Sequence, residues 1–298
     1  MPSRAMLDVM EALRERQRAS ANEPAESLTE TRAGFEPAGS AHPVPDDVVV
    51  TAVDAAGVVA HWLDAPGVDG RRALLFLHGG GYQFGSLRSD GELAARLGRA
   101  ARMRVLFPEY RLAPEHPFPA AIDDVLAVWR WLRRRTAARS LAVAGDSAGG
   151  GLAVALLVAT RDAGEDLPAA GVLLSPTVDL TSSGASMTDR VDEDPISTPQ
   201  LLSRLASDYL AGADPRNPLA SPLFASLAGL PPLLVQVGTA DLLFSDAERL
   251  ARAATDAGGD VRFEVGDGLP HVYQLMLGTP EAAEATERIG VFLRERVV

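Results

Sequence analysis

The chain has 298 residues with 28 basic and 40 acidic side chains, a formal charge of −12 and no cysteine. That acidic balance argues against nucleic acid or an anionic membrane surface as partner, since both need a positive footprint. Without cysteine there are no disulfides, thiolate metal sites or cysteine nucleophiles, which fits a reducing compartment; because every basic residue is arginine, lysine Schiff-base and Ser–Lys chemistry are excluded too.

In chain order, Met6, Val9, Met10 and Leu13 recur at helical spacing, which predicts an amphipathic helix ending before the polar stretch 20–30. Val48, Val49, Val50 and Val53, then Val58 to Leu63, flank a turn at Ala55-Ala56-Gly57 and read as an antiparallel hairpin, with His61 on an edge strand. Apolar runs at 73–77, 103–107, 141–145, 171–174, 233–237 and 261–265 then alternate with helical stretches near 87–100, 119–135, 150–162 and 245–257, before a last helix at 280–295. Repeated βα units imply a mostly parallel α/β sheet of about eight strands, helices on both faces, and reactive groups at the carboxyl ends of the strands. The Arg133-Arg134-Arg135 cluster reads as a solvated helix end. No apolar run reaches the roughly 20 residues that span a bilayer. The N-terminus lacks a basic segment followed by an apolar one, so the expectation is a cytoplasmic protein with no membrane span.

Between Pro176 and Pro232 the alternation stops; this stretch shows one helix, Pro199 to Leu210 started by Thr198, and no strand. An excursion of that length is usually a lid or binding element. The domain organisation expected is therefore an N-terminal cap segment, 1–45, and a main domain, 46–298, with a cap insertion at about 180–225. Met6, Met10, Leu201, Leu202, Leu205 and Tyr209 on these segments point to an apolar acyl or alcohol group of modest size.

Two glycine-rich turns carry the chemistry. Gly145-Asp146-Ser147-Ala148-Gly149 follows the apolar run Leu141 to Ala144 and precedes the apolar stretch 152–158. That is the strand, turn, helix order of a nucleophile elbow, which makes Ser147 the candidate nucleophile. A serine needs a base, and only five histidines are available. His42 lies in a Pro-rich linker, His61 in a strand, His78 in the other glycine turn and His116 in a Pro-Glu-His-Pro loop; His271, just past the last strand, remains. The acid that orients it is Asp241, at the end of the strand 233–237 and its turn, with Asp246 in the next helix as the alternative. The order serine, acid, histidine is that of α/β-hydrolases. His78-Gly79-Gly80-Gly81 follows the first parallel strand, where glycines let successive N–H groups face one concavity. A phosphate loop or dinucleotide fingerprint does not fit its sequence.

Three blocks carry a family resemblance: His78-Gly79-Gly80-Gly81-Tyr82, Tyr110-Arg111-Leu112-Ala113-Pro114-Glu115 continuing to Phe118-Pro119-Ala120, and Gly145-Asp146-Ser147-Ala148-Gly149-Gly150. Over roughly 45–295 the chain resembles the bacterial hormone-sensitive-lipase-like esterases of the α/β-hydrolase fold. The resemblance implies Ser147 as nucleophile, Asp241 as acid and His271 as base, with oxyanion N–H groups from Gly80, Gly81 and Ala148. It implies no chemistry for the Tyr110 block, no metal or cofactor, a small-molecule ester as substrate, and dimers as in many family members. The expected activity is a serine carboxylic-ester hydrolase acting through an acyl-enzyme on short- to medium-chain or small apolar esters. A lactonase or an amide or N-acetyl deacylase would use the same triad. A non-catalytic small-molecule receptor is the more distant reading.

Overall fold

A computed structural model describes residues 1–20, 28–40 and 43–298. Two helices, α1 (Arg4–Ser20) and α2 (Leu28–Ser40), precede the strands β1 (Val49–Asp54), β2 (Val59–Asp64) and β3 (Asp69–Leu77). Then follow α3 (Leu87–Ala101), β4 (Met103–Pro108), α4 (Ala120–Arg133), β5 (Leu141–Asp146), α5 (Ala148–Asp162) and β6 (Ala170–Leu174). After the one-turn α6 (Ser186–Asp189) and α7 (Pro199–Leu210), the chain closes with β7 (Leu233–Ala240), α8 (Phe244–Asp256), β8 (Val261–Pro270) and α9 (Pro280–Arg296).

The eight strands form one sheet in the order β1-β2-β4-β3-β5-β6-β7-β8. Only the β1–β2 and β2–β4 pairs are antiparallel. The period-2 alternation of side chains sorts the apolar runs onto two faces. Leu75, Leu77, Val143, Leu173 and Val235 pack with Trp129 and Leu132 of α4, with α5, and with Leu250 of α8. On the opposite face, Leu74, Phe76, Ala144, Val172 and Leu234 pack with Leu93 and Leu97 of α3 and with Phe292 and Leu293 of α9. Burial on both faces is why the central strands read as continuous apolar runs.

Helix starts follow capping chemistry: Thr198 accepts from Leu201 N–H ahead of Pro199, and Thr279 accepts from Ala282 N–H ahead of Pro280. α7 has the bounds expected from sequence. Two features differ from expectation. β2 pairs on its other side with β4, with His61 opposite Phe107, so β1 takes the edge at that end of the sheet and His61 sits on an inner strand. α2 was not foreseen because Gly34, Pro37 and Gly39 make its sequence a poor helix former. A tertiary clamp holds it instead. Arg32 donates to Gln83 O at 2.7 Å, to Ala113 O at 3.0 Å and to both Glu115 oxygens at 2.6 and 2.8 Å. His42 lies outside the described residues. Among the described residues no strand occurs between β6 and β7, and no helix is long and apolar enough to cross a membrane.

α1 docks through Met6 and Met10, buried against Ala240, Leu269, Tyr273 and Ala285. Met6→Asp places an unpaired carboxylate there, which costs more than docking one helix returns. Trypsin cleavage at Arg14, Arg16 and Arg18 is expected to accelerate about tenfold or more while the melting temperature of the sheet falls only slightly; unchanged cleavage would show that these contacts do not hold the helix.

Candidate active site

All six residues of β5 are buried, and the chain leaves it at Ser147 with φ 51° and ψ −119° before entering α5. A non-glycine residue in that conformation costs about 1–3 kcal/mol. Three hydrogen bonds hold it. Ser147 N–H donates to Leu174 O at 2.8 Å, while Ser147 O accepts from Thr177 N–H at 2.9 Å and Gly151 N–H at 3.1 Å. The flanking glycines are required by close approach: any Cβ on Gly149 would overlap Leu77 O and His78 O, and one on Gly145 would overlap Gly149. The start of α5 is thereby pressed against the end of β3.

His271 follows Pro270, the last residue of β8, so this strand runs five residues further than the apolar run suggests. Val272 has φ 43°, a rare conformation for a β-branched residue, and its N–H donates to Ser175 Oγ at 3.1 Å. Ser175 also has a positive φ, so three strained backbones, at Ser147, Ser175 and Val272, meet at the strand ends. His271 Nε2 lies 3.0 Å from Ser147 Oγ, and Nδ1 lies 3.0 and 3.1 Å from the Asp241 carboxylate oxygens. A carboxylate only accepts, which assigns a ring proton to Nδ1; in the neutral ring Nε2 then accepts from Ser147 Oγ–H. Asp241 is fully buried and accepts Leu243 N–H at 2.8 Å on Oδ1. Burial pulls the His271 pKa down, but the carboxylates of Asp241, Asp194 and Asp146 outweigh it and raise it to about 9.

Asp246 makes no contact with His271. It accepts Val178 N–H and Asp179 N–H, each at 2.9 Å, and so pins the chain leaving β6 to the first turn of α8. Burial pushes its pKa up to about 7. Of the two carboxylates considered from sequence, Asp241 is the one placed on the imidazole.

The turn 78–81 follows β3 directly. Gly80 O accepts Gln83 and Phe84 N–H, each at 3.0 Å, with Gly80 at φ 105° and Gly81 at φ 59°. Among the described residues, the N–H groups of Gly80 and Gly81 make no hydrogen bond. Ala148 opens α5, where the first N–H groups have no acceptor in the helix. The turn is braced from behind. His78 Nδ1–H donates to Gly79 O at 2.8 Å, and its ring stacks on Tyr110 at 4.2 Å and Phe107 at 5.6 Å. Burial pushes the His78 pKa down to about 4, so the ring is a neutral brace. Tyr110 Oη–H donates to His78 O at 2.7 Å, and the Asp146 carboxylate takes Gly79 N–H. The Tyr110 block, given no chemistry from sequence, is therefore the backing of the glycine turn. Asp146 was legible only as the variable position of its motif; its role needs the turn from β3 beside it.

From the segment between β6 and β7, Leu205 packs over Gly81, and Tyr209 stacks on Tyr82 with ring centres 3.8 Å apart. Met6 and Met10 are not with them; they pack at the ends of β7 and β8, while Leu201 and Leu202 are half-buried on α7. A cleft of about 370 Å³ lined by Arg32, Phe84, Gly85, Leu112, Glu115 and His116 contains none of Ser147, Asp241 and His271.

Residues 74–275 match the alpha/beta hydrolase fold family. An acetyl-hydrolase of Streptomyces hygroscopicus is 46% identical over 254 residues, 84% of this chain and 83% of the relative. A carboxylesterase of Mycobacterium tuberculosis is 33% identical over 231 residues, 74% of this chain and 72% of the relative. Among solved structures, an esterase from the bacterial hormone-sensitive lipase family superposes with a TM-score of 0.95 at 43% identity, covering all of both chains.

The raised pKa of Asp246 sets a stability prediction. A carboxyl that titrates at about 7 when folded, against 3.8 in a free side chain, keeps in the native state a proton the unfolded chain has lost. Its stabilisation is complete below pH ~4 and is lost as pH rises through ~7. Asp246→Asn, which retains an acceptor oxygen, is expected to flatten the fall of urea-unfolding midpoints between pH 4.5 and 7.5. An identical fall in both proteins would mean Asp246 is already ionised throughout.

Proposed function

Because the chain belongs to the bacterial hormone-sensitive-lipase family of esterases, within the α/β-hydrolase fold, we propose that it hydrolyses short carboxylic esters through an acyl-enzyme on Ser147. The observation that carries this reading is the continuous line from Asp241 through His271 to Ser147 Oγ, with both imidazole contacts at 3.0 Å. Ser147 Oγ attacks the ester carbonyl carbon while His271 Nε2 takes its proton. The carbonyl oxygen becomes an anion and is received by the N–H groups of Gly80, Gly81 and Ala148. Collapse breaks the ester C–O bond, and His271 returns the proton to the departing alcohol. Water then attacks the acyl carbon, His271 accepts its proton and passes it to Ser147 Oγ, and the acid leaves. Asp241 holds the ring in the tautomer these steps need and stabilises the imidazolium.

In this reading residues 1–45 and about 180–225 form the cap of a catalytic domain spanning 46–298. Leu205 over Gly81 narrows the space beside the oxyanion donors, which supports a short acyl group. The acetyl-hydrolase name of the Streptomyces hygroscopicus relative points the same way.

Ser147→Ala is expected to abolish labelling by a fluorophosphonate and to lower kcat on p-nitrophenyl acetate by about four orders of magnitude; persistent labelling would place the nucleophile elsewhere. Across p-nitrophenyl esters, kcat/KM is expected to fall as the acyl chain lengthens beyond butyryl. A separate comparison tests the acid: Asp241→Asn lowers kcat by about a thousandfold or more, and Asp246→Asn by less than about tenfold. The reverse order would exchange the two assignments.

A further inference from the structure

The turn that presents Asp241 is held mostly from outside. Within it, Leu243 N–H donates to Asp241 Oδ1 and Phe244 N–H donates to Asp241 O at 3.1 Å. The remaining bonds come from the segment between β6 and β7. Ser186 Oγ donates to Leu242 O at 2.5 Å and accepts Ser245 N–H at 3.0 Å, while Ser245 Oγ accepts Ser186 N–H at 3.0 Å. Asp194 completes the set. Its Oδ2 accepts the N–H of Leu242, the residue next to Asp241, at 2.9 Å, and its Oδ1 accepts Ile196 and Ser197 N–H at 2.8 Å each.

Asp194 is 3% exposed; burial and the facing Asp241 push its carboxyl above the usual carboxylate range, while the facing His271 and the N–H groups of Ser197 and Leu242 favour its charged form. A buried carboxylate with no arginine beside it is a costly way to cap three N–H groups, which neutral acceptors could also receive. The charge therefore needs a use. We propose that Asp194 is a positioning residue of the catalytic centre: it holds the turn that presents Asp241 and sets a second negative charge facing His271. The inference rests on the reading of Ser147, His271 and Asp241 as a triad. The imidazolium formed when Ser147 attacks would then meet two fixed carboxylates, where reorganisation costs least.

Three acidic groups face His271: Asp241 from the turn after β7, Asp194 from the segment ahead of α7, and Asp146 from the end of β5. Burial acts against all three, and together they strengthen the hold on the imidazole proton. Removing the Asp194 carboxylate therefore lowers the pH at which the ring titrates.

The test is an NMR titration of the His271 ring, assigned with His271→Ala, in wild type, Asp194→Asn and Asp194→Ser. Serine keeps one acceptor and removes the same charge, so it serves if the asparagine variant folds poorly; Ser186→Ala loosens the same turn without a charge change. Both Asp194 variants are expected to titrate at least half a pH unit below wild type, with the ascending limb of kcat/KM moving equally. Plateau kcat on p-nitrophenyl acetate should fall at least fivefold with KM within twofold. Ser186→Ala should leave the titration at the wild-type pH. A His271 titration unmoved in a folded Asp194 variant overturns the proposal. The titration needs no turnover, so it is separable from failure of the esterase reading, which would show as a wild type that neither hydrolyses esters nor reacts with a fluorophosphonate.

Discussion

The bend at Ser147 is the constraint to which the rest of the site is fitted. A serine at positive φ is unfavourable on its own, and it persists because Leu174, Thr177 and Gly151 satisfy both polar groups of its backbone. The same bend needs α5 to start against the end of β3, which only glycine at position 149 permits. That contact brings the glycine turn of β3 beside the serine. Nucleophile and candidate oxyanion donors are thus placed by one packing event, with the strain offset by backbone bonds from β6.

Electrostatics form the second layer. The imidazole of His271 is buried beside the carboxyls of Asp241, Asp194 and Asp146, so burial and charge act on it in opposite directions. Charge wins, as expected where several anions share a low-dielectric site with one titratable ring. On the far side of the glycine turn the balance reverses: His78, stacked between aromatic rings, is held neutral by burial. Two histidines in one chain therefore do opposite work because one faces anions and the other faces rings.

The segment between β6 and β7 reaches both of the loops that hold the candidate site. Leu205 and Tyr209 of α7 pack on the glycine turn, while Ser186 and Asp194 lace the turn that follows β7. α2 contributes through one arginine, which ties it to the chain just past the glycine turn and to the Tyr110 block. Elements that look peripheral in sequence are thereby coupled to the two loops on which hydrolysis would depend.

Much of this was legible in the residues themselves. Alternating apolar runs marked the strands and their two-sided burial, Thr198-Pro199 marked the start of α7, and the Gly-x-Ser-x-Gly turn marked the bend, because backbone geometry and capping are local properties that residue types encode. Their places just past the ends of the last two strands pointed to Asp241 and His271. Sequence favoured Asp241 over Asp246 by its place at the strand end, but five residues of separation leave either within reach, and the path of the turn is what aims Asp241 at the imidazole. α2 was invisible because its helix depends on the Arg32 clamp and not on its own propensity. The roles of Asp146, Asp194 and Tyr110 were not legible for the same reason: their partners lie on other elements, and a buried polar group acquires its role only when tertiary contacts decide what it faces.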